Sequence, residues 1–277
     1  HVPYERIGKV IVATSEEQFD VLRGYQEQAL INGVGELTWM TKAEVEALEP
    51  AVSCLAGVFS PTTGIIDSHS YMVSLVGDLE SHGGMISFLT DVTALDTSDG
   101  ITVTCDGFEL APEILVNAAG LDAPGLSRQV GGDHRGYYAK GHYYVLSGKS
   151  PFNRLVYPVA EPGGLGVHVT LDLARQAKFG PDVVWIDSVD YSFDTSNRER
   201  FVEAIRRYYP DLDESRLHPS YTGIRPKIAP RGAPAPDFVI NGPLETKVPG
   251  YVDLLGIESP GLTASLAIAE RVVELVG

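Results

Sequence analysis

The sequence predicts a mixed α/β (α+β) fold: a nucleotide-type sheet carrying a β-meander, with an inserted, largely antiparallel domain. Three observations carry that reading. Up to about Arg128, a helix, a strand, a meander, a short strand, a Gly-rich turn and a helix succeed one another. That order suits a nucleotide-binding sheet and not a β-sandwich. From about Arg128 to Thr222 the texture shifts to alternating polar and apolar stretches, and the chain closes with a strand, a loop of small residues and a helix.

Taken in order, Gly8–Thr14 (GKVIVAT) has the β-branched run of a buried strand. Ser15 with Glu16, Glu17 and Gln18 then opens a helix expected to reach Ile31, where Asn32-Gly33 stops it. Thr41-Lys-Ala-Glu44 reads as a capping box, and Leu55–Phe59 as a strand. Tyr71–Glu80 is an expected helix leading through Gly83-Gly84 into a strand at Met85–Leu89. Asp91–Asp96, Ile101–Asp106 and Phe108–Ala111 form the meander, and Glu113–Asn117 runs into the turn Asn117-Ala-Ala-Gly120. In the inserted part, strands are expected at Tyr137–Leu146, Leu155–Val159, Leu165–Thr170 and Val183–Asp187, with a helix at Ser196–Tyr209. From Tyr221 the chain reads as loop-rich until strand Tyr251–Leu255 and the terminal helix. In that helix Leu266, Ala269, Val273 and Val276 are the expected core contacts, with Glu270, Arg271 and Glu274 facing solvent.

Composition excludes several classes. A net charge of −16 argues against nucleic acid and anionic membranes as main partners. No apolar run approaches the roughly 18 residues of a membrane span. Cys54 and Cys105 share no paired spacing and read as buried thiols of a reducing compartment. The first residues lack the features of a signal peptide and read as the interior of a folded domain. The seven histidines never fall at metal-ligand spacing, so no metal is expected. GxGxxG, GxxxxGK[ST], HExxH and GxSxG are all missing from the sequence.

What remains is a set of separated short stretches. VNAAGLDA (Val116–Ala123) is either a tight strand-to-helix connection or a place where ligand meets backbone. GIESPGLTAS (Gly256–Ser265) is either a plain helix start, capped by Ser259 or Thr263, or a helix N-terminus aimed at an anion or carbonyl. His168 sits on an apolar strand, where a structural role competes with a catalytic one. Arg225, in what reads as a Gly/Pro-bounded loop, suits either a surface or carboxylate recognition. Lys140 lies among tyrosines, as an edge-strand lysine packed on rings or as a ligand contact.

Together and in this order, GKVIVAT, PTTGIIDSHSYM, VNAAGLDAPGLS, YYAKGHYYVL, VYPVAEPGGLGVHVT, YTGIRPKI and GIESPGLTASLAIAERVVEL resemble the L-2-hydroxyglutarate oxidase/dehydrogenase branch of the FAD-dependent oxidoreductases. That branch belongs with D-amino-acid oxidase and sarcosine oxidase. The resemblance implies an FAD-binding domain from 69–128 and 221–277, and a substrate domain from 1–68 and 129–220. It implies that the usual opening strand and GxGxxG belong ahead of His1. FAD would be met by Val92, by Ala118, Ala119 and Gly120, by Gly223, Ile224 and Arg225, and by Ser259, Pro260, Gly261, Leu262 and Thr263. Arg225 and Lys140 would hold substrate carboxylates or lie over the flavin edge, with His168 as the base. The implied substrate is a small 2-hydroxy carboxylate, with oxygen, a quinone or a protein as electron acceptor. The implied location is cytoplasmic or peripheral to the inner membrane. An amine or amino-acid oxidase of the same superfamily, and a non-catalytic binding module, stay open as alternatives.

Overall fold

The computed structural model describes residues 1–35, 37–159 and 166–277 of the 277-residue chain. The chain begins with β1 (Tyr4–Glu5), β2 (Lys9–Ala13), α1 (Phe19–Ile31), β3 (Thr38–Thr41), α2 (Lys42–Leu48), β4 (Ala56–Ser60), β5 (Ile65–Ile66) and α3 (Ser68–Ser81). Next come β6 (Val92–Asp96), β7 (Thr102–Cys105), β8 (Phe108–Leu110), β9 (Leu115–Asn117), α4 (Ala123–Gln129) and β10 (Tyr137–Leu146). They are followed by β11 (Leu155–Pro158), β12 (His168–Leu171), β13 (Ala177–Gly180), β14 (Val184–Ile186) and α5 (Arg198–Arg206). β15 (Leu217–Lys227), β16 (Val239–Asn241), α6 (Pro243–Thr246), β17 (Tyr251–Leu255) and α7 (Gly261–Val276) complete it. The structure falls into two compact units, one of His1–Met85, Gly141–Val183 and Ser192–Gly223, the other of Ile86–Lys140, Val184–Tyr191 and Ile224–Gly277.

In the first unit the strands run in the order β10-β13-β12-β11-β2-β4-β3. All neighbours are antiparallel except β11 and β2, which pair in parallel. Alternation gives this sheet two faces. Val10, Tyr144, Val156, Val169 and Phe179 are wholly buried on one face, packed in a single cluster with Phe201 and Ile205 of α5. On the other face, α1 covers the β2–β4–β3 end through Leu22, which packs with Ala13 and Val58. The remainder of that face carries half-buried polar and aromatic side chains: Lys9, Tyr143, Tyr157, His168, Thr170 and Lys178. The capping box forms as predicted: Thr41 N–H donates to the Glu44 carboxylate at 2.7 Å, and Glu44 N–H to Thr41 Oγ1 at 3.4 Å.

In the second unit β9 and β17 are parallel neighbours, and β16 runs antiparallel on the far side of β17. The meander β6-β7-β8 forms a separate three-stranded sheet. Its Leu95, Val103 and Cys105 pack with Ile101 and Tyr251. Cys54 and Cys105 are both buried free thiols. No helix among the described residues is long and apolar enough to cross a membrane.

Four expectations need correction. Met85–Leu89 forms no strand; Met85, Phe88 and Leu89 are exposed, and Leu89 takes a positive φ of 53° that breaks extended pairing. The stretch from Tyr221 is not loop: β15 continues to Lys227, because Gly223 and Pro226 are acceptable in a strand with an open edge. Lys140 is not on an edge strand, since β10 pairs with β13 and β14 in succession and also with β15. Finally, α7 packs with a different phase. Leu266, Ala269 and Val273 are exposed, Val276 is half-buried as expected, and Gly261 is buried with Ser265, Ile268 and Val272 half-buried. The helix is apolar on both sides, so periodicity alone could not choose the stripe. The predicted strand Leu165–Thr170 begins at Leu165, which lies outside the described residues; β12 starts at His168.

Candidate active site

Two of the predicted stretches meet in the second unit. Because β9 and β17 are parallel and in register, Asn117 opposite Asp253, the segments that follow both strands emerge side by side. Ligands of open α/β sheets bind at such carboxyl ends. Between them lies a cavity of about 520 Å³, lined by Val116, Ala118 and Gly120 on one side and by Ile257, Gly261 and Ser265 on the other. Gly120 has φ +59°, and a Cβ there would point into open space. α7 begins at Gly261 without a side-chain cap, so neither Ser259 nor Thr263 caps it; the Gly261 N–H donates to the Glu258 carbonyl at 2.5 Å, and the Leu262 and Thr263 amides of the first turn remain available. The cavity itself is apolar, lined along α7 by Ile268 and Val272, while the small residues and open backbone at this end of the sheet, with the Leu262 and Thr263 amides, fit part of an anionic dinucleotide.

A buried polar network fixes these two segments. Asp253 accepts hydrogen bonds from Asn117 Nδ2 at 2.8 Å, from the Tyr251 hydroxyl at 2.6 Å and from the Ser127 hydroxyl. Asn117 Nδ2 also donates to the Ala123 carbonyl at 2.9 Å, while its Oδ1 accepts from Ala119 N–H at 3.3 Å. Burial, reinforced by Asp253, pushes the Tyr251 phenol well above its ordinary range and keeps it a neutral donor. Sequence reading missed this network, since Asn117 and Asp253 are 136 positions apart. Asp253 within the apolar strand YVDLL was the one available signal.

Other candidates are placed as follows. Gly223, Ile224 and Arg225 are half-buried on β15. Arg225 is engaged internally: its Nε lies 3.4 Å from Glu258, which also pairs with Lys227. Glu258, inside GIESPG, was not foreseen. Lys140 is 4% exposed and paired with Asp190 at 2.9 Å, so its charge is compensated within the unit. Val92 opens β6 opposite Cys105, is 40% exposed, and does not line the cavity. Pro260, Leu262 and Thr263 are exposed at the start of α7.

In the first unit His168 is one member of a row running across the sheet. Val156 opposes Val169, which sets Tyr157 opposite His168; His168 opposes Gly180; Tyr144 opposes Phe179, which sets Tyr143 opposite Gly180. The His168 and Tyr157 rings stack with centroids 4.0 Å apart. At Gly180 the Tyr143 ring lies over bare backbone, 2.9 Å from where a Cβ would sit. The Gly180 φ is +145°, and a Cβ would come within 2.6 Å of the His142 carbonyl oxygen. Asp182 anchors the turn after Gly180 by accepting from His142 N–H at 2.7 Å. Tyr143 in turn stacks on Tyr221 at 4.5 Å, and the Lys178 ammonium lies 5.8 Å over the Tyr221 ring. Burial, with Tyr143 nearby, pushes the Tyr221 phenol up to about 12. At the other end the Lys9 ammonium lies 5.1 Å over Tyr157, its pKa lowered by burial. The row thus offers a ring nitrogen flanked by phenols, with an ammonium group toward either end.

The chain is 40% identical to a mitochondrial L-2-hydroxyglutarate dehydrogenase of Arabidopsis thaliana, over 98% of this chain and 66% of that protein. It is 25% identical to an L-2-hydroxyglutarate dehydrogenase of Escherichia coli K12, over 99% of this chain and 74% of that protein. The chain therefore spans 66% to 74% of the length of these relatives. A dithionite-reduced L-alpha-glycerophosphate oxidase from Mycoplasma pneumoniae with FAD bound superposes with a TM-score of 0.86 at 24% identity, covering 99% of this chain and 74% of that one. A glycine oxidase from Geobacillus kaustophilus gives 0.82 at 20% identity, covering 99% and 72%. At those identities the likeness is one of fold. The profile of the family described as FAD dependent oxidoreductase matches residues 1–275, and the chain belongs to that family.

Proposed function

We propose that the protein to which this chain belongs oxidises a 2-hydroxy dicarboxylic acid of the L-2-hydroxyglutarate class to the 2-oxo acid. The observation that carries the reading is the His168 row: an imidazole stacked on Tyr157, with the Lys9 ammonium over the same ring. Relatives named L-2-hydroxyglutarate dehydrogenase support it. FAD, when bound, supplies the two-electron acceptor that takes the hydride from C2.

The residues of the chain do the rest. Ala118, Ala119 and Gly120 would hold the adenosine and pyrophosphate part, and Val92 would offer backbone to the adenine. Leu262 and Thr263 would offer amide N–H groups to the flavin carbonyl region, where a helix N-terminus favours negative charge, and Gly261, its own N–H held by the Glu258 carbonyl, would keep that approach unobstructed. Ser259 and Pro260 shape that turn, and Gly223 and Ile224 lead into Arg225. His168 takes the hydroxyl proton, a task that suits imidazole near neutral pH. Arg225 holds the C1 carboxylate after exchanging its internal partner Glu258 for the substrate, a positioning role. Lys140, already paired with Asp190, acts through that pair by steadying β10.

The test is anaerobic reduction of the FAD-containing protein, followed at the flavin bands. L-2-hydroxyglutarate should bleach the flavin, and an amino-acid panel should not. Bleaching by amino acids alone would replace this reading with an amine oxidase.

A further inference from the structure

The residues placed so far leave the far end of a dicarboxylate without a partner. We propose that Lys9, lying over Tyr157, is the specificity residue that binds the substrate's distal carboxylate, so that the first unit selects diacids over monoacids. The proposal rests on the assignment of the His168 face as the substrate side.

Four observations meet at Lys9. It opens β2 on the same face as Ile11, and Ile11 is in register with Tyr157 of β11. Its ammonium lies 5.1 Å over the Tyr157 ring, while His168 stacks on that ring at 4.0 Å from β12. β2 and β12 flank β11, so base and ammonium are separated by one phenol ring. The side chain is half-buried, and among the described residues no carboxylate is paired with it; the contact with Tyr157 is its charge interaction. Lys178, at the other end of the row, differs: it already faces Asp172 at 3.8 Å. A half-buried cation without a counter-ion is costly by itself and stabilised by an arriving anion. A hydroxyl at His168 and a carboxylate at Lys9 leave the methylenes between them over the edge of Tyr157, an apolar surface suited to them.

The experiment compares wild type, Lys9→Met, Lys9→Gln and Lys9→Arg in the FAD-containing protein. Substrates are L-2-hydroxyglutarate and the monoacid L-2-hydroxyvalerate; glutarate and butyrate serve as non-reacting probes whose Kd is read from perturbation of the flavin spectrum. Lys9→Met and Lys9→Gln should lower kcat/KM for the diacid by about 30-fold, the loss expected for one charged hydrogen bond. The monoacid should lose far less, so the diacid preference collapses; glutarate binding should weaken in parallel, and Lys9→Arg should restore part of it. Equal losses for diacid and monoacid, or an unchanged ratio, would overturn the assignment of Lys9. If wild type fails to oxidise L-2-hydroxyglutarate at all, the proposed function falls separately. Glutarate then decides the Lys9 question alone: tighter binding than butyrate in wild type, lost in Lys9→Met, upholds it, and any other pattern ends it.

Discussion

The segments after β9 and β17 and the half-buried face of β11, β12, β13 and β10 are built by opposite means. The first turn their polar side chains inward, where Asn117, Ser127, Tyr251 and Asp253 are all under 5% exposed, and leave backbone for a ligand. The second commits its backbone to the sheet ladder and leaves side chains for a ligand. Where backbone is presented, side chains must be small and the lock must be buried. Where side chains are presented, register and stacking position them, and the buried His142–Asp182 pair holds only the turn after Gly180. Mutations should therefore separate the two regions: the lock carries stability, and the row carries chemistry.

The largest effect should come from Asp253→Ala. It removes the acceptor shared by Asn117, Ser127 and Tyr251 and leaves three buried donors. A loss of about 4 kcal/mol is expected from urea unfolding, together with weaker retention of FAD. A loss below about 1 kcal/mol would mean that water replaces the carboxylate and that the segments are not locked.

The contrast also explains what could be read in advance. Backbone-presenting segments are contiguous and compositionally marked, so Ala118–Gly120 and Gly261–Thr263 were legible as small-residue stretches at helix starts. A row across a sheet is neither. Lys9, Tyr143, Tyr157, His168 and Gly180 come from five strands, and pairing alone assembles them. His168 was visible because a histidine between valines is unusual; Tyr157 and Gly180 resemble any strand residue. Arg225 was legible as a residue but not in its setting, since Gly and Pro nearby imitate a loop. Its partner Glu258 also lies far from it in sequence, beyond β16, α6 and β17. The phase of α7 failed for a plainer reason: apolar residues occur around the whole helix.

Gly180→Ala should be next in size and joins the two readouts. Its φ of +145° and the 2.6 Å approach to the His142 carbonyl make any Cβ strained, at a cost of about 2 kcal/mol. The added methyl also meets the Tyr143 ring at 2.9 Å and displaces the row that holds His168, so flavin reduction by substrate should slow beyond what the stability loss explains. Restored stability in high glycerol without restored reduction would sharpen the point. His168→Asn then isolates the row: unfolding should shift by less than about 1 kcal/mol, while flavin reduction falls at least about 100-fold. Equal FAD content in mutant and wild type is the control.

The smallest effect concerns Lys9 and pH. Burial lowers its pKa from the ordinary 10.5, so the folded protein binds fewer protons than the unfolded chain between the lowered value and 10.5. Stability contributed by this group therefore rises with pH across that window and is least below it, where the half-buried ammonium is fully charged. Lys9→Met removes the titration. Relative to wild type it should be most stable at neutral pH, and that advantage should shrink as pH climbs toward 10.5. Glutarate should act in the opposite direction, stabilising wild type most where the ammonium is charged and Lys9→Met little at any pH. Parallel stability curves for the two proteins, with and without glutarate, would show that the ammonium is fully hydrated and that the row ends at Tyr157.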